Sequence, residues 1–397
     1  MAARFLQIHT LTNYPSSLLN RDDAGFAKRM PFGGAVRTRI SSQCQKRHWR
    51  VYEGEHSLGT IGAPESVRSR VAFDRFIAAP LIADGVPADV ARRATQKLVA
   101  KVFGSEAKQE KAEKKGTKKK DDADAAPAEK GVSTAQVTVV GKPELDYLRD
   151  LVREAIAAAD GDADKVEKAI DERTNEKALR ENLRALKPGS LEAGLGAALF
   201  GRMVTGDILS RTDAAIHVAH ALTVHGQMTE SDYFTAIDDL VRETGEQGSG
   251  HINASELTSG LFYGYVVVDV AGLLSNLGDD HALASDVIER LIHIVATVSP
   301  GAKKGSTAPY AYSHLVLVES GSAQPRTLQN AFIDPVKTTG NLVEHTYAAL
   351  ERHLSELDGM YGKREQRAHA GLATGTRFEN RQTLAELAAW AKAQVLS

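Results

Sequence analysis

The sequence predicts an α+β fold, because strand and helix patterns alternate irregularly along it and not as a regular βαβ array. LFYGYVVVDV at Leu261–Val270 has the aromatic and β-branched composition of a strand, and FLQIHTL alternates from Phe5 onward. Another strand is predicted near His314–Val318. Apolar residues at helical spacing predict helices at about 78–103, 143–186, 283–298, 341–357 and 383–396. The sequence contains no internal repeat.

The length and composition of the chain limit its possible domain number, class and cellular location only broadly. A chain of 397 residues can form two modest domains, or one large domain with insertions. Its 42% apolar and 25% charged residues are typical of ordinary globular proteins. No run approaches the roughly 18 apolar residues of a membrane span, and the N-terminus lacks a secretory pattern. Cys44 is the only cysteine, which excludes an internal disulfide and a multi-cysteine zinc site. We therefore expect a cytoplasmic protein with no membrane contact.

One segment is predicted to be a disordered insertion. Ser105–Lys130 contains no Leu, Ile, Val, Met or aromatic residue. Such a segment cannot bury enough apolar surface to offset the entropy of ordering it. Its lysines are nearly balanced by acidic residues, so a solvated loop is favoured over a nucleic-acid contact.

The charge of the chain is unevenly distributed. The net charge is −2, yet residues 1–50 hold nine Lys or Arg, opposed only by Asp22 and Asp23. The remaining residues hold 40 basic and 49 acidic side chains. This asymmetry suggests one face built for a polyanion, with a chance scatter of solvated charges as the alternative.

The segment RISSQCQKRHWR (Arg39–Arg50) predicts a helix over about 41–51, capped by Ser41 or Ser42. Helical spacing gathers a polar, cationic stripe on one side of it: Gln43, Lys46, Arg47 and Arg50. A second row is less charged and is predicted to face a core: Cys44, His48 and Val51, with Trp49 nearby. The alternative is an ordinary amphipathic surface helix.

The surroundings of this helix also suit phosphates. A helix N-terminus offers backbone N–H groups and partial positive charge. Arg37 and Arg39 lead into it, and Gly33-Gly34 would let another backbone approach closely. Whether these two arginines touch a nucleic acid or a neighbouring protein remains open from the sequence.

Motifs for catalysis, metals or cofactors are weak. GLGAALFG (Gly194–Gly201) and GAKKGST (Gly301–Thr307) depart from the nucleotide-binding patterns they resemble, and GxSxG and HExxH do not occur. DGDAD (Asp160–Asp164) predicts a polar helix start, because Lys165 replaces the glycine of a calcium loop. No catalytic residue, metal or cofactor is predicted.

DAAIHVAHALTVHG is predicted to be a helix ending at Gly226. On a helix Asp213, His217 and His220 would share one face and could geometrically hold a metal. Helix capping and packing are the favoured uses of these residues.

Several segments resemble one family. LNRDD (Leu19–Asp23), FGG (Phe32–Gly34) and RISSQ…KR..R (Arg39–Arg50) resemble the CRISPR-RNA-binding backbone subunit of type I-E CRISPR Cascade complexes, in the RAMP superfamily. The match returns at GRM (Gly201–Met203), DAAIHVAHALTVH, DYFTAIDDL (Asp232–Leu240) and GSGHINASELTSGLFYGY (Gly248–Tyr265). Each motif is weak alone, but their order and spacing together are specific. The resemblance covers 1–50 and 197–305 well, 100–185 poorly and the region after 310 loosely.

The resemblance implies a modified RRM/ferredoxin-like palm with a helical fingers domain and a protruding thumb loop or hairpin. On this basis residues 1–75 and 197–397 would form the palm, 76–196 the fingers with the insertion 105–130, and 227–260 the thumb. Copies of such a subunit polymerise along the spacer of the CRISPR RNA and present it to target DNA. Its other partners would be the large, small and RNA-end-binding subunits, and a helicase-nuclease recruited by the assembled complex.

The resemblance also implies site residues. Residues expected to hold RNA phosphates are Lys28, Arg39, Ser41, Gln43, Lys46, Arg47 and Arg50. Residues expected at the kinked base are Met203, Phe234 and Ile252, although Phe234 alone would more often be a core residue.

Two alternatives stay open. In a RAMP-type ribonuclease that cleaves target RNA, Asp22 or Asp23 could act with His9 or His48 as acid or base. A salt-bridging or loop-capping role is favoured for these aspartates, because LNRDD matches the non-cutting family. In a protein-only scaffold, the cationic stripe would meet an acidic protein surface.

Overall fold

In the computed structural model the described residues are 3–103, 131–203, 208–237 and 249–396. The predicted insertion at 105–130 lies outside them, as does the part of the predicted thumb between 238 and 248. The chain divides into two compact units: unit 1 lies within 1–61, 216–270 and 281–397, and unit 2 within 62–215 and 271–280. The palm, fingers and thumb boundaries drawn from the sequence stay a prediction.

The strands within the described ranges are β1 (Phe5–Ser17), β2 (Arg29–Phe32), β3 (Ala35–Ile40), β4 (Ser66–Ser69), β5 (Thr138–Gly141), β6 (Ile216–Val218), β7 (Ala221–Thr223), β8 (Thr229–Ile237), β9 (Ser249–Asp269), β10 (Ser313–Gly321) and β11 (Gln366–Gly371).

The α-helices within the same ranges are α1 (Ser42–Arg50), α2 (Ala79–Ala83), α3 (Ala88–Phe103), α4 (Lys142–Ala158), α5 (Ala163–Arg173), α6 (Glu176–Arg184), α7 (Leu195–Phe200), α8 (Val270–Asn276), α9 (His281–Thr297), α10 (Lys304–Thr307), α11 (Leu342–Tyr361) and α12 (Leu384–Leu396). None of the helices that the structure describes is long and apolar enough to cross a bilayer.

Unit 1 is built on one antiparallel sheet. Its strand order is β11-β10-β1-β9-β7-β3-β2, and β6 and β8 also pair with β9. β1 lies between β10 and β9, with Ile8 opposite both Val318 and Val266. The sheet and the helices packed on it confirm the predicted α+β class.

Helices cover the sheet of unit 1. Leu11 of β1, Tyr263 of β9 and Leu317 of β10 pack with α11, which contributes Tyr347 and Leu350. Helix α9 packs against α12 and contacts β1 and β10. Burial of these apolar side chains is the main favourable contribution to folding, at roughly 25 cal/mol per Å² of apolar surface.

Unit 2 is mainly helical. The antiparallel strands β4 and β5 form its two-stranded sheet, and α3, α4 and α5 share one apolar core. Asp162 begins α5 by accepting hydrogen bonds from the backbone N–H groups of Asp164 and Lys165, so DGDAD is a helix start as predicted. The salt bridge between Arg202 and Glu144 (2.6 Å) is fully buried in this unit.

The predicted helix from Asp213 to Gly226 is wrong. Ile216–Val218 and Ala221–Thr223 form the short strands β6 and β7, both paired with β9. The alanine-rich composition favours a helix locally, but β9 offers unpaired backbone groups, and this pairing outweighs local preference. Asp213, His217 and His220 therefore share no helical face, and the described residues include no group of three potential ligands able to hold a metal.

A buried carboxylate joins three strands of the sheet in unit 1. Glu319 of β10 accepts hydrogen bonds from His9 Nε2 of β1 (3.1 Å), Arg326 Nη1 (2.6 Å) and Arg367 Nε of β11 (2.6 Å). Burial alone would raise the pKa of Glu319, but the hydrogen bonds from His9 and Arg326 and the charge of Arg326 lower it. His9 Nδ1 in turn accepts from the Tyr263 hydroxyl (2.8 Å), which fits a neutral imidazole.

We expect acid to destabilise this fold. Burial lowers the folded-state pKa of His9, against the opposing effect of Glu319, and burial also lowers the pKa of His225. In the unfolded chain histidines titrate near about 6.5. Below that pH the unfolded chain binds more protons, so the free energy of unfolding decreases, by at most about 1.4 kcal/mol per pH unit for each histidine.

Urea unfolding at about pH 7.5 and about pH 5.5 measures this effect. His9→Gln should reduce the pH dependence, whereas His217→Gln, at an exposed strand position, should leave it as in the unmodified protein. Equal unfolding free energies at both pH values would contradict the expectation.

Candidate nucleic-acid interface

Ser41 is the N-cap of helix α1, one of the two caps that the sequence offered. Ser41 has an extended backbone, and its Oγ accepts a hydrogen bond from the backbone N–H of Cys44 (3.2 Å). Arg47 and Arg50 lie in the last turn, where positive charge interacts favourably with the helix dipole. Local sequence is therefore sufficient to explain where this helix starts and why its C-terminal half is cationic.

The predicted cationic stripe reaches the surface. Gln43 and Arg47 are exposed, while Lys46 and Arg50 are half-buried. Arg50 donates from Nε to the carbonyl of Lys46 (3.2 Å), which holds its side chain along the helix.

The opposite side of α1 only partly follows the prediction. Trp49 is buried and Cys44 packs on the apolar cluster around Tyr14. Val51 was predicted to face a core but is 55% exposed, because the helix ends at Arg50 and Val51 is its C-cap.

Asn20, within the LNRDD motif, connects the segments of the candidate site. Its Oδ1 accepts from the backbone N–H of Ser41 (2.9 Å), and its carbonyl accepts from the N–H of Lys28 (2.8 Å). The carbonyl of Lys28 accepts from the N–H of Arg39 (2.7 Å). Asn20 thus places Lys28 beside the start of α1, although Lys28 is distant from the stripe in sequence, and Lys28 in turn bonds Arg39.

The N-terminus of α1 is occupied by groups of the chain itself. The N–H of Ser42 donates to Nδ1 of His220 (3.1 Å), and that of Cys44 donates to Ser41. These two amides are not available to a phosphate. A phosphate at this position would have to be held by side chains.

The pKa values of His220 and Cys44 are affected by the charges of nearby lysine and arginine side chains. Burial lowers the pKa of His220, and the charges of Arg39 and Lys28 lower it further. Burial raises the pKa of the Cys44 thiol, while Arg47 and Lys28 act in the opposite direction. Lys28 therefore lies near His220 together with Arg39, and near the Cys44 thiol together with Arg47.

The pKa of His48 indicates a further cation near this site, Lys304. Burial lowers the pKa of His48, its hydrogen bond to the Cys44 carbonyl opposes this, and the charges of Lys304 and Arg47 lower it again. Arg39, Lys28, Arg47 and Lys304 thus form a series of neighbouring cations, which we call the cationic row. Among the described residues, none of these four forms a salt bridge.

Lys304 was not predicted as a site residue. It begins α10 within GAKKGST, which in the sequence is only a segment that departs from a nucleotide-binding pattern. The N–H of Ala302 donates to the carbonyl of Leu18 (2.9 Å), two residues before Asn20. This contact brings the loop to α1, and no local pattern could have indicated it.

Arg37 has a different role from the one that its position in the basic segment suggests. It is 0% exposed and donates from Nη1 to the carbonyl of Thr223 and from Nη2 to those of Phe332 and Ile333. Its Nε donates to the carbonyl of Phe32. Arg37 is therefore a structural residue, and its buried guanidinium is not available to a ligand.

Gly33 also has a structural role, because it allows another segment of the chain to approach closely. It has a positive φ of 58°, and a Cβ at this position would lie 1.6 Å from the carbonyl oxygen of Ile333. The backbone that approaches Gly33 closely is therefore the protein's own. Arg39 differs from Arg37, because its Nε is buried but has no hydrogen-bond partner in the described part of the chain.

The predicted thumb is an antiparallel ribbon in its described part. Phe234 is paired with Asn253, and Ile252 with Thr235, so Phe234 and Ile252 are not direct cross-strand partners. Where the ribbon leaves the sheet, Glu256 accepts from the N–H of Ala27 (2.7 Å). The base of the ribbon is thus attached to the segment that carries Lys28.

Met203 belongs to unit 2 and is 95% exposed. The residue before it, Arg202, is buried and held by Glu144. The exposed apolar side chain of Met203 therefore follows directly after a buried residue that is held by a salt bridge.

Two candidate catalytic groups of the ribonuclease alternative, Asp22 and His9, are engaged in structural hydrogen bonds. Asp22 accepts from the backbone N–H groups of Ala24 (3.0 Å) and Phe26 (2.9 Å), which is loop capping. His9 is buried in the Glu319 network. The favoured structural role of Asp22 fits these bonds.

Fold and site together define an α+β protein in which the antiparallel sheet of unit 1 carries a capped cationic helix. A family model described as CT1975-like protein matches residues 6–393, and the chain belongs to this family. A comparison with curated proteins finds no match.

Two solved structures share the fold over 98% of this chain and 100% of theirs. One is described as a CRISPR RNA-guided surveillance complex, pre-nicking, with 25% identity and a TM-score of 0.76. The other is described as a CRISPR RNA-guided surveillance complex, with 22% identity and a TM-score of 0.65, and it supports the fold alone. The resemblance to Cascade subunits that the sequence motifs indicated is confirmed.

Replacement of Arg37 should reduce the stability of the fold far more than replacement of Arg39. Arg37→Met leaves several buried carbonyls without a donor, each costing about 1–3 kcal/mol, so we expect a loss of about 3 kcal/mol or more. Arg39→Met removes no hydrogen bond of Nε, so its effect should stay within about 0.5 kcal/mol. Urea unfolding measures both; losses of equal size would contradict the division of roles.

Proposed function

We propose that this protein is a non-catalytic backbone subunit of a CRISPR interference (Cascade) complex and binds the phosphates of the CRISPR RNA. The observation that carries the proposal is the cationic row beside the stripe of α1. Four cations without a carboxylate partner in the described part of the chain form a site for a polyanion. The similar structure with 25% identity is a CRISPR RNA-guided surveillance complex, which favours RNA as that polyanion.

The chemistry of the row suits a guide of variable sequence. Lysine and arginine side chains neutralise phosphates and carry no base information by themselves. In RNA-guided complexes specificity is left to pairing between the guide and its target. A subunit that holds the backbone and leaves the base edges free meets this need.

The phosphate contacts that we propose come from Lys28, Arg39, Gln43, Lys46, Arg47 and Arg50, with Lys304 added from the structure. Ser41 is buried and its Oγ caps α1, so its contact would use the hydroxyl hydrogen. The amide side chain of Gln43 is exposed and can donate to a phosphate oxygen.

The thumb would act on the bases. We propose that the β8–β9 ribbon kinks the guide at regular intervals, with Phe234 and Ile252 contacting the displaced base. Met203, in unit 2, is proposed by itself as a residue that contacts a displaced base. Apolar side chains can replace the stacking that a displaced base loses. Copies of the chain would assemble along the spacer, together with the large, small and RNA-end-binding subunits. The complex would present the guide to target DNA and recruit a helicase-nuclease.

The Asp22 bonds support a non-catalytic role. Its Oδ1 is held by two amides of its own loop, and a carboxylate used in this way is poorly placed to take a proton from substrate. The protein would contribute binding and geometry, while cleavage would belong to the recruited nuclease.

Lys46→Ala with Arg50→Ala should weaken RNA binding about equally for guides of unrelated sequence. Loss of two phosphate contacts should also flatten the dependence of log Kd on log salt by roughly 1.4, at about 0.7 per contact for single strands. Binding titrations of the full chain at several salt concentrations measure both quantities.

Lys337→Ala with Lys363→Ala is the matched control, because it removes the same charge from other parts of unit 1. It should leave affinity and salt dependence close to those of the unmodified chain. If the two double variants behave alike, the phosphate site is wrongly assigned.

Phe234→Ala should disturb target-DNA pairing or assembly while reducing guide affinity only modestly, because its proposed contact is to one base and not to phosphates. Co-expression with a CRISPR RNA and the partner subunits, followed by target-binding assays, measures this. Ser231→Ala, on the same strand, is the control. A Phe234→Ala chain that loses its circular dichroism spectrum would instead identify Phe234 as a core residue.

A further inference from the structure

Two tyrosines next to the cationic row are strongly exposed. Tyr310 is 71% and Tyr312 73% exposed, in the segment that leads from α10 into β10. The buried tyrosines of unit 1 have hydrogen-bond partners for their hydroxyls, as Tyr263 does with Leu328 and His9. An aromatic pair presented to solvent on a short segment indicates a binding surface.

The segment is fixed by the residue between the two tyrosines. Both the N–H and the carbonyl of Ala311 bond to Oγ of Ser299 (3.0 Å each). Ala311 also packs on the apolar cluster around Tyr14, the cluster that Cys44 of α1 contacts. The two rings are therefore carried by an anchored backbone, which reduces the entropy lost when a ligand binds.

Backbone hydrogen bonds connect the tyrosines to a cation of the row. The N–H of Ala308 donates to the carbonyl of Lys304 (3.0 Å), and the N–H of Tyr310 donates to the carbonyl of Ala308 (2.7 Å). Pro300, in the same loop, lines a small cavity together with His48. Positive charge and aromatic surface thus occur side by side, the combination that single-stranded nucleic acid binds.

The exposure of the tyrosines suits a flat ligand. Tyr310 and Tyr312 are exposed on either side of the half-buried Ala311. A nucleobase has a π face that can stack on exposed aromatic rings.

We propose that Tyr310 and Tyr312 form a stacking platform for one base of single-stranded RNA whose phosphates lie on the cationic row. The inference rests on the proposed RNA binding and adds a base contact to it. Every base has a π face, so such a platform accepts any sequence. Its ligand class is a nucleobase, and no base edge is read.

Tyr310→Ala with Tyr312→Ala is the test, with full-chain affinity measured for two probes: an oligouridylate and a fully abasic ribose-phosphate oligomer of equal length. We expect a loss of about 5- to 150-fold for the oligouridylate. Affinity for the abasic oligomer and the salt dependence should not change. Tyr310→Phe with Tyr312→Phe should retain oligouridylate binding, because the rings remain.

Leu372→Ala is the matched control, since Leu372 is exposed and its N–H bonds the His314 carbonyl near Tyr312. It should bind both probes normally. Equal loss for both probes, or no loss for either, would overturn the platform while leaving RNA binding intact. If the alanine variants keep RNA affinity but lose self-association, the tyrosines form a protein interface and the proposal is wrong. An unmodified chain that binds neither probe would refute the proposed function itself.

Discussion

The buried guanidinium of Arg37 is the interaction on which the candidate site depends. A buried charge is tolerated only when its donors are satisfied, and Arg37 meets four carbonyls, from Phe32, Thr223, Phe332 and Ile333. These carbonyls belong to the β2–β3 turn, the end of β7 and the segment before α11. One side chain therefore fixes three segments, and β3 leads from it directly to Arg39 and α1. Removal of this arginine would leave several carbonyls unpaired at once.

Burial divides the cations of the chain into two classes. Arg37, Arg202 and Arg367 lie inside, each held by carbonyls or by carboxylates such as Glu144. The members of the cationic row lie near the surface and form no salt bridge within the described ranges. The sequence does not distinguish the two classes, because it gives the charge of each side chain but not the groups that bind that side chain in the fold. Only the folded structure distinguishes the cations that stabilise the interior from those that remain for a ligand.

The parts that the sequence could predict are those governed by local rules. The cap at Ser41, the helical stripe and the strand at Leu261 follow from spacing and residue type, and the structure contains all three. Arg37 and Arg39 lie two residues apart in one strand, so periodicity treats them alike. What separates them is a segment some 300 residues away that covers only the first. Lys304 and the strands β6 and β7 depend in the same way on distant partners: the Leu18 carbonyl and the edge of β9.

The cationic row has an electrostatic consequence that its single members would not have. Like charges placed as neighbours repel, and partial burial strengthens this repulsion by lowering the effective dielectric constant. The neutral groups between them, His220, Cys44 and His48, separate the charges without compensating them. Phosphates from an RNA backbone would relieve this repulsion while forming their own contacts, so binding gains from both effects. The fold supports the unfavourable arrangement because Asn20 and Arg37 hold the surrounding backbone independently of any ligand.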